Sequence, residues 1–148
     1  MLKIGFTQGK RYTFASHINE MLVPREKAEV LEAFRVIVEP GKQTHLHSHS
    51  DTEQLYFVVS GRGRGVFVHP GGGREEFDMA PDDVIHVPRN TRHQISCAGD
   101  APLVYLCVDG FPQGRPVAEP TWDDHYAEVL RLQSQSAASP KDAKVEAR

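Results

Sequence analysis

The sequence predicts an all-β fold with one helix near its end, and three observations carry that expectation. Short runs rich in Val, Ile, Phe and Tyr recur through the first 110 residues. Gly, Pro, Asn and Asp stand between the runs, and the apolar spacing becomes helical only after residue 120. Many short strands set apart by turn residues argue for a sandwich or barrel. A chain of 148 residues has length for one buried core.

The expected strands begin with "RYTF" (11–14) and continue through "AFRVIVEPG" (33–41), "QLYFVVSG" (54–61) and "RGVFVHPGGG" (64–73). "EEFDMAPDD" (75–83), "VIHVPRN" (84–90), "HQISCAGD" (93–100) and "PLVYLCVDG" (102–110) complete the series. Between the first two, "PREKAEVLE" (24–32) is compatible with a helix start, which periodicity alone does not settle. "HPGGGREE" (69–76) has the glycines of a hairpin loop. An amphipathic helix is expected over 121–133. Thr121 is its N-cap, Asp123 and Asp124 lie in its first turn, and Trp122, Tyr126, Val129 and Leu130 fall at helical spacing. The organisation is N-terminal strands over 1–40, a β-barrel core over 41–118, the helix within 119–133, and a polar tail over 134–148 expected to be disordered.

Composition excludes several function classes. A net charge of −3 with both signs spread along the chain gives no electrostatic footprint for nucleic acid or an anionic membrane. No apolar run approaches the ~18 residues of a membrane span. The start, "MLKIGFTQGKRYTF", lacks the features of a secretory signal, so a cytoplasmic location is expected. Cys97 and Cys107 are expected as thiols that pack like small apolar residues.

One stretch asks for chemistry. "HLHSHSDTEQLYFVVSGRG" (45–63) places His45, His47 and His49 on alternate positions, which in an extended segment share a face. A fourth histidine, His93, follows a turn at Arg89 and Asn90 after the strand ending at Pro88. Neighbouring histidines, an acid or amide a few residues on, and a further imidazole from a distant hairpin suit a first-row metal such as Fe, Mn, Co, Ni, Cu or Zn. The absence of nearby cysteine argues against a structural zinc cage.

These two stretches resemble the motifs of the cupins. The first cupin motif runs G-x5-H-x-H-x3,4-E-x6-G, and "GKQTHLHSHSDTEQLYFVVSG" supplies Gly41, His47, His49 and Gly61 in register. The second runs G-x5-P-x-G-x2-H-x3-N, and "DDVIHVPRNTRHQISC" supplies Pro88 and His93. The resemblance covers residues 41–97. It implies a single-domain cupin β-barrel, or jelly roll, with a divalent transition metal (Zn, Mn, Fe or Ni) inside one end and the helix packed outside. The metal ligands it implies are His47, His49, Gln54 and His93. Four residues separate Gln54 from His49 and six separate it from Gly61, whereas Glu53 fits only the shorter gap. Neighbours on a strand point to opposite sides, so one of the two faces inward. Asp82, Asn90 and Cys97 depart from the motif's glycines and asparagine; Asn90 tolerates a positive φ, and Cys97 leaves the asparagine's role open.

Two further residues are candidates for catalysis. His86, on the strand leading to Pro88, is a possible extra ligand or general base as well as a plain wall residue. Tyr56 shares parity with Gln54 and can line the pocket. His45 is a weaker candidate for approaching the metal. Arg62 and Arg64 are expected to be solvated or to grip a substrate carboxylate, and His17, His69 and His125 to lie at the surface.

Three imidazoles and a neutral amide leave a divalent ion uncompensated, which suits a Lewis acid acting on a small anionic or carbonyl substrate. Some cupins that resemble this donor set act on sugar acids or aromatic polyketide intermediates without oxygen. The leading expectation is therefore an isomerase, lyase or cyclase, with a dioxygenase favoured if Glu53 is the ligand, and a non-catalytic binder as the third class. The stretch "GKRYTFASHINEMLV" (9–23) precedes the barrel, and cupins that it resembles pair through such strands, so a homodimer is expected.

Overall fold

A computed structural model of the chain describes residues 1–138. β1 (Lys10–Thr13), β2 (Ile18–Val23), β3 (Leu31–Val38), β4 (Glu53–Ser60), β7 (Val84–Val87) and β9 (Leu103–Gly110) form an antiparallel sheet ordered β1-β2-β3-β9-β4-β7. β5 (Gly63–Val68), β6 (Arg74–Met79) and β8 (Arg92–Cys97) form a second, ordered β6-β5-β8. The side chains that both sheets turn inward make one core. This is the expected all-β architecture, with one α-helix among the described residues, α1 (Trp122–Ala138).

Alternation builds the core. On β9, Leu103, Tyr105, Cys107 and Asp109 are buried, while Val104, Leu106 and Val108 between them are half-buried. The same rule buries Glu32, Phe34, Val36 and Val38 on β3, so a glutamate and an aspartate occupy inward positions at one end of two central strands.

The turns follow from their residues. Gly72 takes φ 90° in the hairpin between β5 and β6, where the His69 amide donates to the Gly73 carbonyl. A Cβ on Gly61 (φ 81°) would lie 2.2 Å from the Pro102 carbonyl oxygen, so only glycine fits there. Asp82 and Asn90, where the cupin motif has glycines, take φ of 74° and 64°; their short polar side chains tolerate that region.

Three segments differ from the sequence-based expectation. Residues 24–32 form a short 3-10 turn, Arg25–Lys27, and then enter β3. The N-terminal strands extend the large sheet, with β1 at its edge. The helix runs to Ala138, five residues beyond its expected end; the rest of the expected disordered tail, 139–148, lies outside the described residues.

The N-cap is the expected Thr121. The Asp124 amide donates to Thr121 Oγ1 at 3.2 Å, and the Thr121 amide donates back to Asp124 Oδ2 at 3.1 Å. The helix does more than pack outside. Its first turn carries Trp122 into the core, against Tyr12 and Phe34 at ring distances of 5.1 and 5.4 Å. Bonds from Tyr12 to Asp123 and from Tyr126 to the Thr13 carbonyl hold that turn on β1.

Candidate metal centre

Residues 39–52 form an irregular segment laid along β8, with isolated bridges at Gln43–Ser96 and His47–His93. The His47 amide donates to the His93 carbonyl at 3.1 Å and the His93 amide returns the bond at 2.8 Å. The Asn90 amide donates to the His49 carbonyl at 2.7 Å, so the Asn90 turn also anchors the first motif. Because this segment is not a regular strand, alternation does not hold across all three histidines. His45 turns out to solvent, while His47 and His49 converge on His93.

The convergence is close. Ring centroids lie 4.5 Å apart for His47 and His93, 4.9 Å for His47 and His49, and 5.5 Å for His49 and His93. One ligand atom from each of the three lies within 4.8 Å of the others. Backbone carbonyls fix two of the tautomers: Nδ1 of His47 bonds the His45 carbonyl at 2.7 Å, and Nδ1 of His93 bonds the Thr91 carbonyl at 2.9 Å. A carbonyl only accepts, so both Nδ1 atoms carry the proton and both Nε2 atoms present a lone pair. His93 Nε2 is buried and has no hydrogen-bond partner. An orphaned buried acceptor beside two more imidazoles fits a divalent cation.

Electrostatics keep the rings in the metal-ready form. Burial, with the neighbouring His47 and His93 next, pulls His49 down to about 3. Burial and then His47 pull His93 down to about 4. His47 keeps part of its surface in solvent, yet the protein around its ring still lowers its pKa, chiefly by desolvation. Neutral imidazole is the ligating form, so these shifts remove proton competition for the site near neutral pH.

On β4 the parity is unambiguous: Gln54 and Tyr56 are buried and Glu53 is exposed. The Gln54 amide is engaged at both ends. Its Nε2 donates to Asp109 Oδ1 at 2.8 Å, and its Oε1 accepts from the Tyr56 hydroxyl at 2.7 Å. The Tyr56 ring lies 6.3 Å from that of His93, so Gln54 is linked through Tyr56 to the histidine cluster.

His86 requires a correction. It lies one position out of phase with the buried Ile85 and Val87, so its side chain points outward and pairs with the exposed Glu53. It is neither an extra ligand nor a base within the barrel. His17, expected at the surface, is stacked on Phe14 at 4.8 Å; burial lowers it to about 4, with His47 and His45 as lesser causes. His125 is half-buried and bonds Glu119, whereas the half-exposed His69 pairs with Glu75. Arg64 is spent on Glu76 and Asp78 at the surface.

A buried polar row went unrecognised in the sequence. Glu32 on β3, Asp109 on β9 and Gln54 on β4 are successive cross-strand partners, all turned inward. Arg25 grips Glu32 through two bonds of 2.8 and 3.0 Å, and the Trp122 indole donates to Glu32 Oε2 at 2.9 Å. Burial first, and then the Glu32 carboxylate, raise Asp109 well above its ordinary value. The available signal was parity: both acids continue the inward phase of apolar strands.

Comparison with known proteins agrees with this geometry. The family model described as "Cupin domain" matches residues 34–109, which is 76 of the 148 residues. Oxalate decarboxylase of Bacillus subtilis is 34% identical over 94 residues, covering 64% of this chain and 21% of that protein. Glucose-6-phosphate isomerase of Thermococcus onnurineus is 26% identical over 91 residues, covering 56% of this chain and 48% of that protein. The chain therefore spans half or less of these relatives' length. Among solved structures, the formate complex of Lactobacillus farciminis oxalate decarboxylase superposes with a TM-score of 0.64 at 23% identity, over 73% of this chain and 33% of the other, and supports the fold. No helix among the described residues is long and apolar enough to cross a membrane.

Proposed function

The chain belongs to the cupin domain family, and from that premise we propose that it is a metal-dependent enzyme, an isomerase, lyase or cyclase acting on a small anionic or carbonyl compound. The observation that carries the proposal is the convergence of His47, His49 and His93 with the buried, unpartnered Nε2 of His93. These three side chains hold a divalent ion, and Gln54 offers a neutral amide oxygen from the facing sheet. When bound, such an ion supplies Lewis acidity toward a carboxylate or carbonyl oxygen. Tyr56 brings a hydroxyl near the site; its pKa is raised well above the usual value by burial, so it remains a neutral donor.

Two relatives support the substrate class, since their names describe decarboxylation of oxalate and isomerisation of glucose-6-phosphate, both small anions. The oxygen-consuming alternative called for Glu53 as a carboxylate ligand. Glu53 points outward to His86, which favours the oxygen-independent chemistry.

Metal content after saturation with Zn, Mn, Fe or Ni tests the first half of the proposal. Wild type is expected to retain about one ion per chain, and the His47→Ala, His49→Ala double variant none, because loss of two of three imidazoles leaves no chelate. Wild type that stays metal-free would sink the proposal. Turnover of a panel of aldose phosphates, sugar acids and small dicarboxylates under argon tests the second half; activity that appears only with dioxygen would establish the alternative.

A further inference from the structure

Both ends of the Gln54 carboxamide are hydrogen-bonded, and the Asp109 contact is the selective one, because the Tyr56 hydroxyl can donate or accept. Nε2 meets Asp109 Oδ1, an acceptor, at 2.8 Å; Oε1 meets the Tyr56 hydroxyl at 2.7 Å. A carboxamide can flip by half a turn, exchanging oxygen and nitrogen with almost no change in shape. A flip here would set the amide oxygen against Asp109 Oδ1 and put NH2, which cannot ligate, where the oxygen now meets Tyr56.

We propose that Asp109 is a positioning residue for the metal site: by accepting from Gln54 Nε2 it presents the amide oxygen to the ion held by His47, His49 and His93. The proposal rests on the metal-site reading above. Asp109 Oδ1 accepts from both Gln54 Nε2 and Cys107 Sγ, at 2.8 and 3.3 Å, while the carboxyl shares a further hydrogen bond with Glu32. A proton on Asp109 therefore belongs on the oxygen facing Glu32, and Oδ1 stays an acceptor. The acid is itself held in place. Its cross-strand partner Glu32 is fixed by the buried Arg25 and by the Trp122 indole, which stands in the first turn of α1. Arg25 also donates to the Glu119 carbonyl, tying in the segment just before the helix. The support of the site thus runs in one line across β4, β9 and β3 to α1. Partners of this kind outside the ligand shell typically change metal affinity by about 10- to 100-fold when removed.

The test uses the full-length protein and Co(II) as an absorbing probe. Wild type is expected to bind Co(II) with a d–d spectrum that reports its donor set. Asp109→Leu is expected to weaken binding by about 10- to 100-fold and to alter that spectrum, while Asp109→Asn, which keeps a carbonyl acceptor, restores both. Asp109 acts through Gln54, so in a Gln54→Leu background the Asp109→Leu change should have no further effect on affinity. An equal loss in that background would show a merely structural role and overturn the proposal. So would an Asp109→Leu protein with wild-type affinity and spectrum, which would leave the metal reading standing. Failure of wild type itself to take up Co(II) would remove both. Should Asp109→Leu not fold, the Gln54 Cδ resonance of wild type decides: ligation by the amide oxygen moves it on addition of Zn(II), and an unmoved resonance overturns the proposal.

Discussion

The two faces of β4 carry different chemistry within one eight-residue strand. Inward, Gln54, Tyr56 and Val58 are almost fully buried and the first two join the polar interior. Outward, Leu55, Phe57 and Val59 keep 45%, 39% and 39% of their surface in solvent beside the charged Glu53. Two histidines repeat the contrast. His93 on β8 is 2% exposed with a free lone pair, whereas His86 on β7 sits outside against a carboxylate. One position of register separates a candidate ligand from a surface residue.

The sharpest way to probe the inner face is to acidify the metal-free protein. His93 falls from 6.5 to about 4, chiefly through burial. Between those values the unfolded chain takes up a proton that the native ring refuses. Stability is therefore complete above pH ~6.5 and declines as pH falls toward ~4, with no further loss from this group below that. A shift of this size corresponds to ~3 kcal/mol. Urea unfolding in EDTA from pH 7.5 to 4.5 should show the decline, to which His17, His47 and His49 add in the same direction, and His93→Leu should lessen its slope without abolishing it. An equally steep decline in that variant would assign the effect elsewhere.

A smaller effect is expected at the outer face. Val84 on β7 pairs with Phe57 and is 61% exposed, so with Leu55 and Val59 it makes a continuous apolar band on a sheet face. Bands of this kind mark contact surfaces. The homodimer expected from the N-terminal strands would instead use β1, a four-residue edge strand that offers few ladder bonds. A homodimer can use either surface, and a charge placed in the β4–β7 band tells the two apart. Sedimentation equilibrium should give a dimer for wild type, and Phe57→Asp should weaken a dimer built on the band about tenfold or more with Co(II) affinity unchanged. A dimer indifferent to Phe57→Asp but lost on removal of residues 1–9 would return the contact to the N-terminus.

Much of this was legible in the sequence because local rules dominate there. Alternation and turn residues marked the strands, and Thr121 marked the helix start through an interaction three residues long. His47, His49 and His93 stood out by spacing. What escaped depended on contacts between distant segments. His45 shares the spacing of its neighbours, but bonding to β8 breaks the extended geometry and turns it away. Glu32 and Asp109 read as ordinary strand-end acids until the pairing of β3, β9 and β4 set them beside Gln54. Arg25 and Trp122, 97 positions apart, meet on one carboxylate, which no local pattern encodes. His86 was uncertain because both faces of its strand carry apolar residues, leaving the inward phase unmarked.

The smallest expected effect tests the comparison most directly. Glu53→Gln removes the charge from the outer face while keeping the shape of the side chain. Glu53 and His86 are each about half exposed (50% and 56%), and pairs in that setting contribute ~0–1 kcal/mol. Thermal unfolding should therefore barely move, and Co(II) affinity should not change at all. Gln54→Glu, one residue along, places a second carboxyl directly against Asp109 in a buried row that already holds Glu32, and is expected to disturb both stability and metal binding. The opposite pattern, metal lost on Glu53→Gln and kept unaltered on Gln54→Glu, would mean that β4 turns its other face to the histidines when metal binds. Adjacent residues of a regular strand cannot both reach one ion without a bulge, so that result would transfer the ligand role to the carboxylate and restore the oxygen-consuming chemistry as the leading function.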